Sequence, residues 1–410
     1  MWFKILYSIF LFCVIFLTAP LGTSSLSPRQ IVSVIMLAVC FFYDKKLYGD
    51  KYWMVYLVFI AFFGLSSLAT SYFNVYLLRL IGDFFVAFVA CWASKLLIEK
   101  NNGLHIVITC FIIFGLIDSI ITIGQVMRWP FADLIPAYFN LNLYDTYNQG
   151  VEIDANLMEY AIPGFFRNAV DNGHFLLTAT VVSTALFEKK NKLVAIICTT
   201  TLLTGSFMVQ QRSGFYLAIL FSVYSIWKNI IKRQKTEKYI LAFVFIIVAG
   251  LLFTYFNSII SSTESRVSQL SLDSTGRVLI WKICIEYIGN HPLLGGFFSF
   301  INENHIYPHN VVLSAFISGG IIGGSFLIIM IYMQITSIIK DDRKKKTFDF
   351  KIFVVSISYL AVLCDSFFHN ISFANGDVII WVIWTSYYYG KTSVVNYKYG
   401  VEGNKLVLHV

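Results

Sequence analysis

Three short motifs place a cation or a histidine where it could act on a phosphate or a hydroxyl group. Arg212 lies between two apolar runs that no real loop separates. Arg277 opens a helical pattern, where free backbone N–H groups and the helix dipole already favour an anion. His309 follows Pro308 directly before an apolar run, which predicts a helix start where the neutral, proton-accepting imidazole is favoured.

Each of these residues also has an ordinary interpretation. Arg277 could pair with Asp273 on a surface helix, and His309 could serve as an amphipathic anchor at a membrane interface. Asp365 is predicted near the outer end of an apolar run, where it could neutralise one of the arginines. Arg79 and Asp83, one helical turn apart, are predicted to pair with each other.

No pattern in the sequence predicts a metal or a cofactor. No Cys/His spacing fits a zinc site, Asp-x-Asp does not occur, and there is neither a P-loop nor a nucleophile elbow. Because nucleotide-binding motifs are also lacking, we expect a metal-independent chemistry with no cofactor and no nucleotide donor. The seven cysteines do not suggest a disulfide framework, since all but Cys284 lie in apolar runs.

The composition places these motifs in a membrane protein. Of the 410 residues 57% are hydrophobic and only 13% are charged, and the mean hydropathy is +0.70. A soluble domain carries about 25% charged residues, so a soluble globular protein and a disordered chain are both excluded. We predict an all-α, polytopic integral membrane protein, residues 1–410 forming a single transmembrane domain. About twelve spans are predicted, at 3–20, 31–44, 53–72, 76–94, 104–125, 173–187, 193–210, 213–228, 239–256, 311–338, 352–369 and 376–390.

The positions of the basic residues predict the orientation of the chain, and they place most lysines and most arginines on different sides of the membrane. With both termini in the cytoplasm, 23 of the 31 basic residues are cytoplasmic, and 21 of those are Lys. Seven of the eight others are Arg, whose planar guanidinium suits bidentate recognition of phosphate. The eight are Arg29, Arg79, Arg128, Arg167, Arg212, Arg266, Arg277 and Lys282.

Two outer segments are too long to be turns, and we predict that they carry the chemistry. The first large periplasmic loop, 126–172, mixes aromatic rings with carboxylates and ends in Ile162-Pro163-Gly164-Phe165-Phe166-Arg167-Asn168. The second, 257–310, contains a predicted amphipathic helix at about 275–289 whose apolar face is Val278, Trp281, Ile285 and Ile288, with Gly289 as its C-terminal cap. Beyond it, Gly319-Gly320 and Gly323-Gly324 predict close helix packing.

Together these segments resemble the O-antigen polymerase and O-antigen ligase superfamily of bacterial surface-polysaccharide enzymes. The resemblance is carried, in the family's order, by four stretches across about 170 residues. They are Gly164-Phe165-Phe166-Arg167-Asn168, Gln211-Arg212-Ser213-Gly214, Gly276-Arg277 through Trp281 to His291-Pro292-Leu293-Leu294-Gly295, and Pro308-His309-Asn310 with Gly320 and Gly323.

The resemblance implies a glycosyltransferase of the lipid-linked-sugar (C) type in the bacterial inner membrane, acting at its periplasmic face. It implies undecaprenyl-diphosphate-linked glycans as donor and acceptor, with a chain-length regulator and a flippase as partners and no nucleic acid. His309, Arg277 and Arg212 are then the expected catalytic residues. Arg266, Arg167, Asn310 and Asp365 are expected to bind the diphosphate or the glycan.

Three functions remain open at this point. We favour an O-antigen polymerase, because the loop before His309 is shorter than expected for a ligase and the first outer loop is sizeable. The alternative is an O-antigen ligase, which transfers the glycan to lipid A core. A lipid-linked oligosaccharide flippase is a further alternative, but it should show repeated halves and interrupted helices near the midplane.

Overall fold

The computed structural model describes most of the chain. The described residues are 2–18, 26–46, 48–70, 75–132, 134, 162–166, 169–188, 192–209, 211–231, 278–344, 349–369, 373–399, 401–402 and 405–406. The predicted span 239–256, most of the first large loop and the start of the second lie outside them. The domain boundaries predicted at 126–172 and 257–310 therefore stay predictions.

The regular secondary structure of the described residues is helical apart from one two-residue antiparallel pair, Val401–Glu402 with Lys405–Leu406. Thirteen α-helices can be followed, and eleven of the twelve predicted spans correspond to one of them. They are α1 (Trp2–Phe16), α2 (Pro28–Tyr43), α3 (Lys51–Ala69), α4 (Val75–Asn101), α5 (Leu104–Val126), α6 (Ala169–Ser183), α7 (Lys192–Met208), α8 (Arg212–Ile231), α9 (278–290), α10 (Phe297–Asn304), α11 (Val311–Lys344), α12 (Phe350–Ser366) and α13 (Val378–Tyr399). Short 3₁₀ turns follow α6 at Thr184–Glu188 and precede α13 at Phe373–Asn375.

Four of the described helical segments are long and apolar enough to cross a membrane. They are Lys51–Ala69, Leu77–Asn101, Leu104–Val126 and Val311–Lys340. Apolar helices α1, α2 and α7 are shorter than the usual span of about 20 residues. Exposed large apolar side chains on these helices, such as Phe42 and Leu193, fit contact with lipid.

Helix α6 is the central helix of the part that carries the site. It packs against α5, α7, α8 and α12, and every residue from Asn172 to Ser183 is buried. A helix that is covered on all sides can hold polar side chains only if they are hydrogen-bonded. Thr178 and Thr180 donate to the carbonyls one turn back, and Ser183 bonds Thr199 of α7.

Helix α11 is broken at Gly320 and packs along α3. Gly320 has φ 63° and ψ −170°, so the helical backbone conformation is interrupted at this residue. Gly323 approaches α3 so closely that a Cβ there would lie 2.6 Å from the Cβ of Phe62, while Gly319 faces Phe59. The predicted close packing through small residues is confirmed at Gly323, but Gly320 serves a different purpose.

One prediction about the second loop is wrong, and the main ion-pair partner of Asp83 differs from the one predicted. Helix α9 continues through Gly289 to residue 290, so Gly289 is not its C-terminal cap, and the glycines with positive φ that follow are Gly295 and Gly296. Cys284 and Tyr287 are buried against the protein, whereas Val278 and Ile285 are exposed, as lipid-facing side chains would be, and the predicted apolar face stays a prediction. Asp83 forms its ion pair with Arg29 of α2, while Arg79 donates to the Thr18 carbonyl at 3.2 Å and also attracts Asp83 electrostatically.

Candidate active site

A buried polar cluster forms where the ends of four helices meet. Asp365, in the last turn of α12, is fully buried and accepts hydrogen bonds on both carboxylate oxygens. Its Oδ1 accepts from Ser213 Oγ at 2.9 Å, and its Oδ2 accepts from Gln211 Nε2 at 3.3 Å. His369 Nε2 lies 2.6 Å from the Ser213 hydroxyl. Since the Ser213 proton goes to the carboxylate, the His369 N–H donates to Ser213.

Histidine and a second carboxylate complete this cluster. His174 Nδ1 lies 2.9 Å from Asp365 Oδ2, and His174 Nε2 lies 3.1 Å from Asp377 Oδ2. Asp377 precedes α13 and caps it, because its Oδ1 accepts from the Ile379 backbone N–H at 3.0 Å. We call His174, Gln211, Ser213, Asp365, His369 and Asp377 the Asp365 cluster.

Arg212 is the first residue of α8 and lies between two members of the Asp365 cluster. Helix α7 ends at Met208 and α8 begins at Arg212, which confirms the prediction that no real loop separates the two apolar runs. Gln211 and Ser213, the neighbours of Arg212, both bond Asp365. The side chain of Arg212 lies outside the described part, and so does any pairing with Asp365.

His309 lies just before α11 in a left-handed backbone conformation, with φ 48°. Asn310 caps the helix: its Oδ1 accepts from the backbone N–H groups of Val312 and Leu313 at 2.9 and 3.2 Å. Its Nδ2 donates to the Phe367 carbonyl at 3.1 Å. Phe367 follows Asp365 by two residues, so the segment bearing His309 is tied to the same helix end that holds the flanks of Arg212.

The break in α11 is filled by the segment that follows α9. In an unbroken helix Ile321 N–H would donate to the Ile317 carbonyl. Here Ile321 N–H donates to the Pro292 carbonyl at 2.7 Å, and Gly296 N–H donates to the Ile317 carbonyl at 2.7 Å. A Cβ on Gly320 would overlap the Leu293 carbonyl, and one on Gly295 would overlap the Ile317 carbonyl. We call these paired segments, Pro292–Gly296 and Ile317–Ile321, the loop–helix junction.

The segment before Arg167 is anchored on α5 and α6. Asp118 Oδ1 accepts from the Phe165 backbone N–H at 2.7 Å, and Gln125 bonds both the N–H and the carbonyl of Gly164. Asn172 Nδ2 of α6 donates to the Ile162 carbonyl at 3.2 Å. Gly164 has φ 59°, and a Cβ there would collide with Asn172 and Asp118, so this turn requires glycine.

The structure describes part of the predicted site. Asp365, Asn310 and His309 are described, and hydrogen bonds link the helix ends that carry them. Arg277, Arg266 and Arg167 lie outside the described residues. Within the described part, no group of three or more His, Cys, Asp and Glu side chains is arranged to hold a metal ion.

Five members of the Asp365 cluster were not predicted as site residues: His174, Gln211, Ser213, His369 and Asp377. Asp377 and His174 stand at the starts of apolar runs, in the same position as Arg212 and His309. That shared position is the signal that could have singled them out. Gln211 and Ser213 were noted only as part of the Arg212 motif, and His369 gives no comparable signal.

The fold and the site define a membrane protein with apolar helices and a buried polar cluster at one set of helix ends. Residues 195–328 match a family model described as O-antigen ligase, which confirms the predicted resemblance to the O-antigen polymerase and ligase superfamily. The match covers 134 of the 410 residues and includes Arg212, Arg277 and His309, but not Arg167 or Asp365. Comparisons with curated proteins and with solved structures give no significant match.

Proposed function

We propose that the protein is an O-antigen polymerase, a C-type glycosyltransferase in the bacterial inner membrane. It transfers a growing glycan from undecaprenyl diphosphate to a hydroxyl of an incoming lipid-linked repeat unit at the periplasmic face. Both termini are cytoplasmic in this proposal, and neither a metal nor a nucleotide takes part.

One observation carries the proposal: the segments bearing Arg212 and His309 are tied to the same end of α12. Gln211 and Ser213 bond Asp365, and Asn310 bonds the carbonyl of Phe367, two residues further along. Motifs that are about a hundred residues apart in the sequence are therefore neighbours in space. This supports a shared reaction centre for the cation and the base.

The chemistry follows from the residue types. The acceptor hydroxyl loses its proton to neutral His309 as its oxygen attacks the anomeric carbon of the donor sugar. The bond from that carbon to the diphosphate breaks, and the lipid diphosphate leaves with the electron pair. Arg212 and Arg277 stabilise the negative charge that develops on the leaving group, with Arg266 assisting. The two lipid-held substrates also gain from proximity in the plane of the membrane.

The alternative function is an O-antigen ligase, in which lipid A core replaces the repeat unit as acceptor. The matching family model is described as O-antigen ligase, but the match does not distinguish a ligase from a polymerase. The donor, the leaving group and the roles of the residues would be the same in both reactions. The acceptor alone distinguishes them.

A deletion strain separates these functions. Lipid A core capped by a single repeat unit is the expected phenotype of a missing polymerase. Bare core with lipid-linked polymer accumulating would identify a ligase instead. If labelled repeat units fail to reach the outer leaflet, the protein is a flippase and the proposal is wrong.

A further inference from the structure

The site contains a buried, charged group for which the proposed reaction has no use. His174 and Asp365 are both fully buried, and the side chain of Asp377 is 7% exposed. The imidazole bridges the two carboxylates, so it joins α6 to the end of α12 and to the start of α13. A buried charge is costly unless it is paired and hydrogen-bonded, which gives this bridge a strict geometry.

The hydrogen bonds fix the number of protons in this bridge. A carboxylate only accepts, so each of the two nitrogen–oxygen contacts of His174 needs its own proton. A neutral imidazole supplies one proton. The three groups therefore hold one more, and their net charge is −1 rather than −2.

The bridge controls where Asp365 points. His174 holds Oδ2 of Asp365, which leaves Oδ1 directed at Ser213 and the remaining lone pair of Oδ2 directed at Gln211. These two residues flank Arg212. A carboxylate that lost His174 could rotate, and the start of α8 would lose its fixed partner.

We propose that His174 and Asp377 are positioning residues for the transfer reaction. The doubly hydrogen-bonded imidazole holds the end of α12 against the start of α13, so that Asp365 fixes the segment of Arg212 and, through Phe367 and Asn310, that of His309. This inference rests on the proposed function. Neither His174 nor Asp377 touches substrate in this account, and neither replaces His309 as the base.

The test measures polymerisation by the full-length protein in proteoliposomes, with lipid-linked repeat units extracted from the deletion strain. His174→Gln provides a donor on one side only and Asp377→Asn removes one charge, so each should misplace the Arg212 segment. A misplacement of about 1 Å can cost about 100-fold in rate. We expect kcat to fall about 10- to 100-fold, with KM close to wild type.

Chemical rescue distinguishes positioning from folding. His174→Ala leaves a ring-sized space between two carboxylates, and added imidazole should restore at least part of the lost kcat in protein that is already folded. His105→Ala is the matched control, because His105 is exposed and the one hydrogen bond described for its imidazole is to the Asn102 carbonyl. It should retain wild-type kcat with or without imidazole.

The outcomes separate this inference from the proposed function. If wild-type protein elongates no lipid-linked repeat, the proposed function fails and the positioning role fails with it. If wild-type protein is active and His174→Ala equals His105→Ala, only the positioning role is overturned. It is also overturned if the melting temperatures of His174→Gln and Asp377→Asn fall together with activity and imidazole restores nothing, since the bridge would then serve stability alone.

Discussion

At the scale of single residues, the backbone of His309 is as informative as its imidazole. Its φ of 48° lies in the left-handed region, which histidine, asparagine and aspartate adopt more readily than most residues. Such conformations persist where contacts on both sides hold the residue in place. Here Pro308 is buried on one side, and Asn310 caps α11 on the other.

The role of His309 can be tested without disturbing that backbone. His309→Asn keeps a residue that tolerates positive φ but removes the proton acceptor, so long-chain polysaccharide should fall about 100-fold or more. The measurement is the chain-length distribution on gels, with membrane abundance checked by immunoblot. His305→Asn is the control, because His305 is also left-handed, with φ 53°, and ends α10. Full-length chains from His309→Asn would exclude a base at this position.

Asn310 has two separable tasks. Its carbonyl oxygen caps α11, and its amide nitrogen bonds the Phe367 carbonyl. Asn310→Ser retains a capping hydroxyl but is too short for the second bond, so we expect a near-normal melting temperature with reduced kcat. Asn310→Ala loses both tasks and should also lose about 1 kcal/mol of stability. Equal activities in the two variants and wild type would show that the bond to Phe367 is dispensable.

At the scale of elements, the loop–helix junction joins the helix that follows Arg277 to the helix that follows His309. At the break in α11, two bonds to Pro292–Gly296 replace the helical bond between Ile321 and Ile317. Glycine is required at position 320 for two reasons: its φ is 63°, and a Cβ there would overlap the Leu293 carbonyl. The junction therefore fixes the end of α9 relative to the start of α11.

Gly320→Ala should destabilise the protein by at least about 1–3 kcal/mol, the usual cost of such a backbone conformation in a residue with a Cβ. Thermal unfolding in detergent measures the effect. Gly289→Ala is the matched control, since a Cβ on Gly289 meets nothing within 4 Å and its φ is not positive. A Gly320→Ala protein as stable as Gly289→Ala would contradict the rigid junction.

The turn before Arg167 depends on the acceptor supplied by Asp118. Asp118→Asn keeps an oxygen for the Phe165 N–H, whereas Asp118→Ala leaves that buried donor without its partner. The alanine variant should therefore be less stable by about 1–3 kcal/mol, and the asparagine variant much less affected. Melting temperatures of the two variants, compared at equal detergent concentration, check this. Identical melting temperatures would show that the turn does not need this oxygen.

Sequence patterns predicted where several helices begin, but they did not predict which helix ends lie together. The start of α8 at Arg212 and of α11 just after Asn310 follow from local chemistry, a polar residue or proline before an apolar run. The pairing of His174 with Asp365 joins residues 191 positions apart, and no local rule specifies it. Gly320, in an apolar run, predicted only close helix packing. The break at Gly320 was not predicted, because the segment that fills it, Pro292–Gly296, precedes α11 in the chain.

At the scale of the whole molecule, the predicted topology can be tested directly with reporter fusions. Reporter fusions at residues 46, 100 and 346 should report cytoplasm, since these positions lie in the lysine-rich links. Fusions at residues 150 and 270 should report periplasm. A cytoplasmic signal at 150 or 270 would place the arginine-bearing loops on the wrong face and remove the basis for a periplasmic reaction.

The break in α11 also divides the helix into two lengths. Ile321 to Lys340 is 20 residues, or about 30 Å of helix, which is the length that crosses a hydrocarbon core. The nine residues from Val311 to Gly319 add about 14 Å of helix on the other side of the break. In the proposed periplasmic orientation, a membrane spanned by the longer part alone would leave His309 beyond the acyl chains, at the level of lipid-borne sugars. The position of a single glycine would then set the height of the reaction above the membrane.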